Sequence, residues 1–191
     1  MKAVRVHECG GPEALRYEEV AAPTPGRGEA VVKIAASGVN FIDVQQRAGR
    51  YKPPAFPFTL GSEGAGTVAE VGPDVQNVRV GDRVAYTMIV GTYAEYAAVR
   101  AERLVHVPAD VSFESAAAVM LQGTTAHYLT HSTYAIKPGD TALVHAAAGG
   151  AGQLVTQIAR LRGATVYGTI GSPGKAALAR EAAFPGLPIV P

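Results

Sequence analysis

Cysteine is almost absent from this sequence. Cys9 is alone among 191 residues, which excludes an internal disulfide and any zinc site built from several thiolates. Nor is there an excess of one charge: 17 Lys and Arg stand against 16 Asp and Glu. A surface so balanced argues against a nucleic-acid or membrane-surface partner. No apolar run approaches the roughly 20 residues that a membrane helix needs. Met1-Lys2-Ala3-Val4-Arg5 alternates apolar and polar residues and lacks the apolar stretch of a secretory signal, so a cytoplasmic location is expected. His7, His106, His127 and His131 lack metal-ligand spacing and are read as structural. Cys9 has no basic neighbour in sequence and is read as inert.

What is abundant points to a folded, turn-rich chain. Apolar residues make up 48%, enough for a core and too many for disorder. The 22 Gly and 13 Pro imply many turns. Partial alternation and β-branched residues predict strands over Met1–His7, Ala14–Val20, Glu29–Ala36, Glu63–Val71, Asp82–Thr87, Thr92–Val99 and Arg103–Val107. Short strands so closely spaced suggest a closed or partly closed β-barrel. The period then changes. Ser112 is placed to cap a helix, and helices are predicted over Ser115–Leu121 and Thr124–Ser132 with Gly123 between them. A strand at Thr141–His145, a helix from about Gln153 to Arg162 closed by Gly163, a strand at Ala164–Ile170 and a helix at Lys175–Ala183 follow. That alternation is the pattern of a parallel α/β layer. Phe184–Pro191 carries three prolines and cannot continue the helix. Two parallel strands are thus expected where a dinucleotide fold takes about six.

Between the first of these strands and its helix runs Ala146-Ala147-Ala148-Gly149-Gly150-Ala151-Gly152. Its spacing maps onto a dinucleotide fingerprint, with Ala147, Gly149 and Gly152 in the three glycine places. Ala147, Ala148, Gly149, Gly150, Ala151 and Gly152 are the candidate diphosphate cradle, offering backbone N–H groups at a helix start. The other reading is a tight Gly/Ala turn without a ligand. The following strand ends Tyr167-Gly168-Thr169-Ile170-Gly171-Ser172 with no acid for ribose hydroxyls, and Lys175 comes soon after. That favours a 2′-phosphate held by Lys175 and Ser172, hence NADPH, against Lys175 as a merely solvated lysine.

Four spaced segments together resemble a known family: Ser37-Gly38-Val39-Asn40-Phe41-Ile42-Asp43, Leu60-Gly61-Ser62-Glu63-Gly64-Ala65-Gly66, Gly81-Asp82-Arg83-Val84 and His145–Gly152. The chain resembles the zeta-crystallin-like quinone oxidoreductases of the medium-chain dehydrogenase/reductase superfamily. The resemblance implies an α/β fold with a β-barrel: a GroES-like N-terminal catalytic domain over 1–121, then an incomplete Rossmann domain over 122–191. It also implies C-terminal truncation inside that domain. Zinc relatives in the superfamily place Cys where Asn40 stands and His where Ser62 stands, so no metal is expected.

The activity implied is NADPH-dependent reduction of a quinone. Asn40, Asp43, Tyr51 and Thr125 match the family's cleft. Asn40 and Tyr51 would donate to a quinone oxygen, Thr125 would touch the nicotinamide carboxamide, and Asp43 would orient its neighbours. Each also has a plainer reading: Asn40 and Asp43 as caps of a helix near Phe41–Arg47, Tyr51 as a loop anchor, Thr125 as a helix-start hydroxyl. Gln45 stands where several relatives have tyrosine. Glu63 reads as a satisfied structural carboxylate, Tyr86 and Tyr93 as barrel packing, and His145 as structural. A homodimer is expected of full-length relatives. Two other functions stay open: an enoyl or acryloyl reductase, and a truncated remnant without catalysis.

Overall fold

The structure is a computed structural model that describes residues 1–51, 55–182 and 189–190. The chain divides into two compact units, Met1–Leu121 and Gln122–Pro191. In the first, β1 (Lys2–Val6) lies between β2 (Leu15–Glu19) and β4 (Phe58–Thr59) in an antiparallel three-stranded sheet. A five-stranded antiparallel sheet has the order β7-β3-β5-β6-β8, made of β3 (Glu29–Ser37), β5 (Glu63–Val71), β6 (Arg83–Thr87), β7 (Tyr96–Arg100) and β8 (Val105–His106). The barrel expected from the short strands therefore takes the form of two sheets. They are linked by an isolated bridge from Ala3 to Ala94, and the described strands do not close into one ring.

The inward residues of β3, β5, β6 and β7 are small or β-branched, including Ala30, Val32, Val68, Val84 and Val99, and they form the main core of this unit. Tyr86 is fully buried there, and its hydroxyl has no hydrogen-bond partner among the described residues. Register shifts interrupt the β3–β5 pairing at Val31/Val32 and again at Ile34/Ala36. Such bulges bend a strand and re-aim its end; here the re-aimed end leads into α1 (Phe41–Arg47).

Helix α2 (Phe113–Tyr128) starts where the sequence says it should, with the Ser115 N–H on Ser112 Oγ at 3.1 Å. It does not stop at Gly123. Two predicted helices are one, which turns into a π-helical stretch at Leu129–Thr133. A lone glycine costs a helix only about 1 kcal/mol, and residues such as Ala116 and Ala117, buried on the same helix, offset that. The expected strand at Arg103–Val107 shrinks to β8, because Ala101–Arg103 forms a 3₁₀ turn.

In the second unit, β9 (Thr141–Val144) and β10 (Thr165–Thr169) pair in parallel, joined through α3 (Gly150–Leu161). Gly163 follows α3 at φ +84°, the left-handed conformation that closes a helix. After a 3₁₀ turn at Pro173–Lys175, α4 covers Ala176–Ala182. The expectation of two parallel strands is corrected here. A short third strand, β11 (Ile189–Val190), pairs in parallel with β10, giving the order β11-β10-β9. An apolar pair among prolines carries too weak a period to be read as a strand. Val144, Ala147, Ala159, Val166 and Ala179 form this unit's core. The prolines at 185, 188 and 191, and those at 53 and 54, lie outside the described residues.

The unpartnered phenol yields a stability prediction. Tyr86→Phe removes a buried donor that gains nothing from folding, so the change is neutral or stabilises by up to about 1 kcal/mol, against the ~1–3 kcal/mol that desolvating such a group costs. Urea unfolding followed by circular dichroism reads it; a loss above about 1 kcal/mol would reveal a hidden partner.

Candidate functional site

Two groups of residues stand out, one in each unit. The first gathers around α1. Asn40 is its N-cap in extended backbone (φ −123°, ψ 154°), and Asp43 is the third helical residue. The Asn40 main-chain N–H donates to Asp43 Oδ2 at 2.9 Å, so the capping role read from the sequence is present. It is not all that is present. Ser62 Oγ donates to Asp43 Oδ1 at 2.8 Å, and the Tyr93 hydroxyl donates to Asp43 Oδ2 at 2.7 Å. The Asn40 side-chain amide donates in turn to Glu63 Oε1 at 2.7 Å, and Glu63 Oε2 accepts the Leu121 N–H at 2.6 Å. Asn40, Asp43, Ser62 and Glu63 are all buried, Glu63 completely.

Two buried carboxylates are tolerable because several donors fall on each. Burial first, then the hydrogen bond to Asp43 and the nearby Asp43 and Glu63 charges, push the Tyr93 phenol well above the usual tyrosine range. Tyr93 therefore keeps its proton at neutral pH and serves as a donor, not a base. Burial alone pushes Tyr86 up as well.

Tyr51 is 58% exposed, and its backbone N–H rests on the Gln45 carbonyl at 3.3 Å. Among the described residues no hydrogen bond joins Tyr51 to the Asn40 group. Thr125, on α2, belongs to the second unit. The structure thus joins Asn40 and Asp43 and adds Ser62, Glu63 and Tyr93. Tyr93 had been read as barrel packing; no spacing in the sequence links it to Asp43, since they are 50 positions apart. Cys9 is exposed. Its sequence neighbours are not basic, but the fold brings Arg47 and Arg50 to the same groove.

The second group is the loop between β9 and α3. Ala146 has φ +51°. Thr169, at the end of β10, ties the loop down: its carbonyl accepts the Ala147 N–H at 2.9 Å, and its Oγ1 lies 3.1 Å from His145 Nδ1. Gly149 caps α3 with no side-chain hydrogen bond, which leaves the helix start to other acceptors. A Cβ on Gly152 would lie 2.3 Å from the Ala146 carbonyl oxygen. The loop can lie this close to α3 only with glycine there. Ala147 is buried in the core, while Gly149 and Gly150 are exposed and Ala148, Ala151 and Gly152 partly so. Ser172 and Lys175 are exposed on the 3₁₀ turn beyond β10. A helix start without a capping side chain, reached by a loop of alanines and glycines and followed by a lysine instead of an acid, fits a phosphorylated dinucleotide. Among the described residues no group of three or more His, Cys, Asp or Glu could hold a metal ion.

Residues 26–109 match the alcohol dehydrogenase GroES-like domain family. The chain is 47% identical over 181 residues to a quinone oxidoreductase of Pseudomonas aeruginosa, covering 94% of this chain and 56% of that protein. Its fold superposes on the crystal structure of Escherichia coli quinone oxidoreductase complexed with NADPH at a TM-score of 0.95 and 40% identity, covering 100% of this chain and 58% of that one. This chain is similar to quinone oxidoreductases over nearly its whole length. A 2-haloacrylate reductase of Burkholderia sp is also similar, at 42% identity over 94% of this chain and 56% of that protein. The chain thus spans a little over half the length of these relatives. The stretch that matches the GroES-like domain includes Asn40 and the five-stranded sheet beside it.

The Asp43 contacts give a test. Asp43→Asn removes the charge that helps hold the Tyr93 proton, so the phenol's pKa moves down toward its usual range. A phenolate titration in the ultraviolet, differenced against Tyr93→Phe, reads the shift. Fewer acceptors at this position should also cost about 1–3 kcal/mol of stability.

Proposed function

We propose that this chain serves a zinc-independent NADPH:quinone oxidoreductase. The observation that carries the reading is the state of Asn40 and Ser62. At the positions where zinc relatives carry ligands, both are buried and already committed as donors, to Glu63 and Asp43, in a chain with 47% identity to a quinone oxidoreductase. Neither residue is a usual zinc ligand, and a quinone carbonyl is electrophilic without one. In this reading residues 1–121 form the catalytic domain and residues 122–191 the first portion of the nucleotide-binding domain.

NADPH, when bound, supplies the hydride. The residues of the chain do the rest. Backbone N–H groups of Ala147, Ala148, Gly149, Gly150, Ala151 and Gly152 hold the diphosphate at the start of α3. Lys175 and Ser172 hold the 2′-phosphate. Thr125 meets the nicotinamide carboxamide. Asn40 and Tyr51 donate to the quinone oxygen that gains charge, and Asp43 keeps Asn40, Ser62 and Tyr93 in place. No helix of the described residues is long and apolar enough to cross a membrane; we place the protein in the cytoplasm and infer a homodimer for the full-length form. Likeness to the 2-haloacrylate reductase supports a second reading, reduction of an activated carbon–carbon double bond at the same site.

Calorimetric titration of the chain with NADPH tests the cradle. Saturable binding is expected, and Gly152→Ala should weaken it roughly 5- to 150-fold, since the added Cβ must shift the Ala146 carbonyl at a cost of about 1–3 kcal/mol. No binding by the unaltered chain would end the NADPH assignment. NADPH oxidation with benzoquinone and an acrylate side by side, in a form extended to the relatives' length, separates the two readings; the 191-residue chain is expected to turn over weakly or not at all.

A further inference from the structure

We propose that Glu63 is a positioning residue that fixes which end of the Asn40 amide faces the substrate; this rests on the reading that Asn40 meets the quinone. Glu63 is the first residue of β5 and is completely buried. Both of its oxygens are occupied by N–H donors: Oε1 by the Asn40 Nδ2 at 2.7 Å and Oε2 by the Leu121 main chain at 2.6 Å. The chain also makes room for it. A Cβ on Gly38 would lie 2.0 Å from Glu63 Oε1, so the residue two places before Asn40 has no side chain where the carboxylate sits.

An asparagine amide is nearly symmetric in shape and opposite in chemistry at its two ends, with donors on nitrogen and acceptor lone pairs on oxygen. Packing alone does not choose between them. An ionised carboxylate does, because it offers acceptors only. With Glu63 beside it, Asn40 must turn its nitrogen toward Oε1, since turning its oxygen there would set two acceptors face to face. The main chain of Asn40 is held separately, by Asp43 at 2.9 Å. One carboxylate therefore anchors the backbone of Asn40 and the other sets its side chain. The second N–H remains for use elsewhere, while Oδ1 faces the Asp43 main-chain N–H in the capping box. A role in stability alone would not require this acceptor-only group, because a glutamine of the same shape could accept from Leu121 equally well.

That contrast is the test. In Glu63→Gln, the side-chain oxygen keeps the Leu121 N–H and the new NH₂ faces Asn40, which must turn over and offer Oδ1. Nitrogen-15 NMR of the full chain reads this directly. The unaltered protein should show one strongly downfield Asn40 side-chain proton, and Glu63→Gln should lose it with little change in melting temperature. Gly38→Ala displaces the carboxylate without altering its chemistry and should also lose that proton. Benzoquinone titration with NADPH present should perturb the Asn40 amide, with affinity about 5- to 10-fold weaker in Glu63→Gln, as for one lost hydrogen bond. An Asn40 amide unchanged in Glu63→Gln, or turned over with quinone affinity intact, overturns the proposal. A locked amide that ignores quinone in the unaltered chain supports the lock and defeats the quinone reading instead. The paired swap Asn40→Asp with Glu63→Gln restores the contact with donor and acceptor exchanged. It should recover stability and not quinone affinity; recovery of both would mean that Glu63 acts on structure alone.

Discussion

Two carboxylates inside the first unit have to be satisfied, and much of the unit is arranged to do it. An unpaired buried carboxylate is untenable at several kcal/mol or more. Asp43 draws on the start of α1, on Ser62 and on Tyr93; Glu63 draws on Asn40 and on Leu121. These donors come from segments scattered along the chain. The network therefore pins the turn before α1, the beginning of β5, the loop carrying Tyr93 and helix α2 to one another. Satisfying the charges and placing Asn40 are one arrangement.

The second unit solves a different problem. A helix start has N–H groups without partners inside the helix, and most helices supply a capping side chain. Here Gly149 supplies none. Thr169 fastens the loop from the side of β10 instead, which leaves the helix start available to an anion. Gly152 keeps the loop near α3 by having nothing to place between them. Both units thus rely on missing side chains, Gly38 beside Glu63 and Gly152 beside Ala146, to bring polar groups together.

Much of this was legible in one dimension where the signal is local. Asn40 and Asp43, three apart, announce a helix start, and Ser112 does the same for α2. The loop Ala146–Gly152 announces itself by spacing. The readings that failed were those needing information from afar. Gly123 looked like a break because its helix-breaking tendency is local, while the burial that carries α2 through it is not. Ile189–Val190 is too short to show a period, and only its pairing with β10 makes it a strand. Tyr93 reads as packing until Asp43 is set beside its hydroxyl.

Residue type and spacing were thus enough for many of the strands and helices, the dinucleotide-type loop and the lack of an acid after β10. These depend on chemistry carried by neighbours in the chain. Tertiary structure alone decided that the strands of the first unit make two sheets, that Asp43 serves three donors and that Glu63 reaches both Asn40 and Leu121, 58 positions apart from the latter. Hydrogen bonds act over about 3 Å, and no local pattern encodes which distant residues will come within that range of a buried charge.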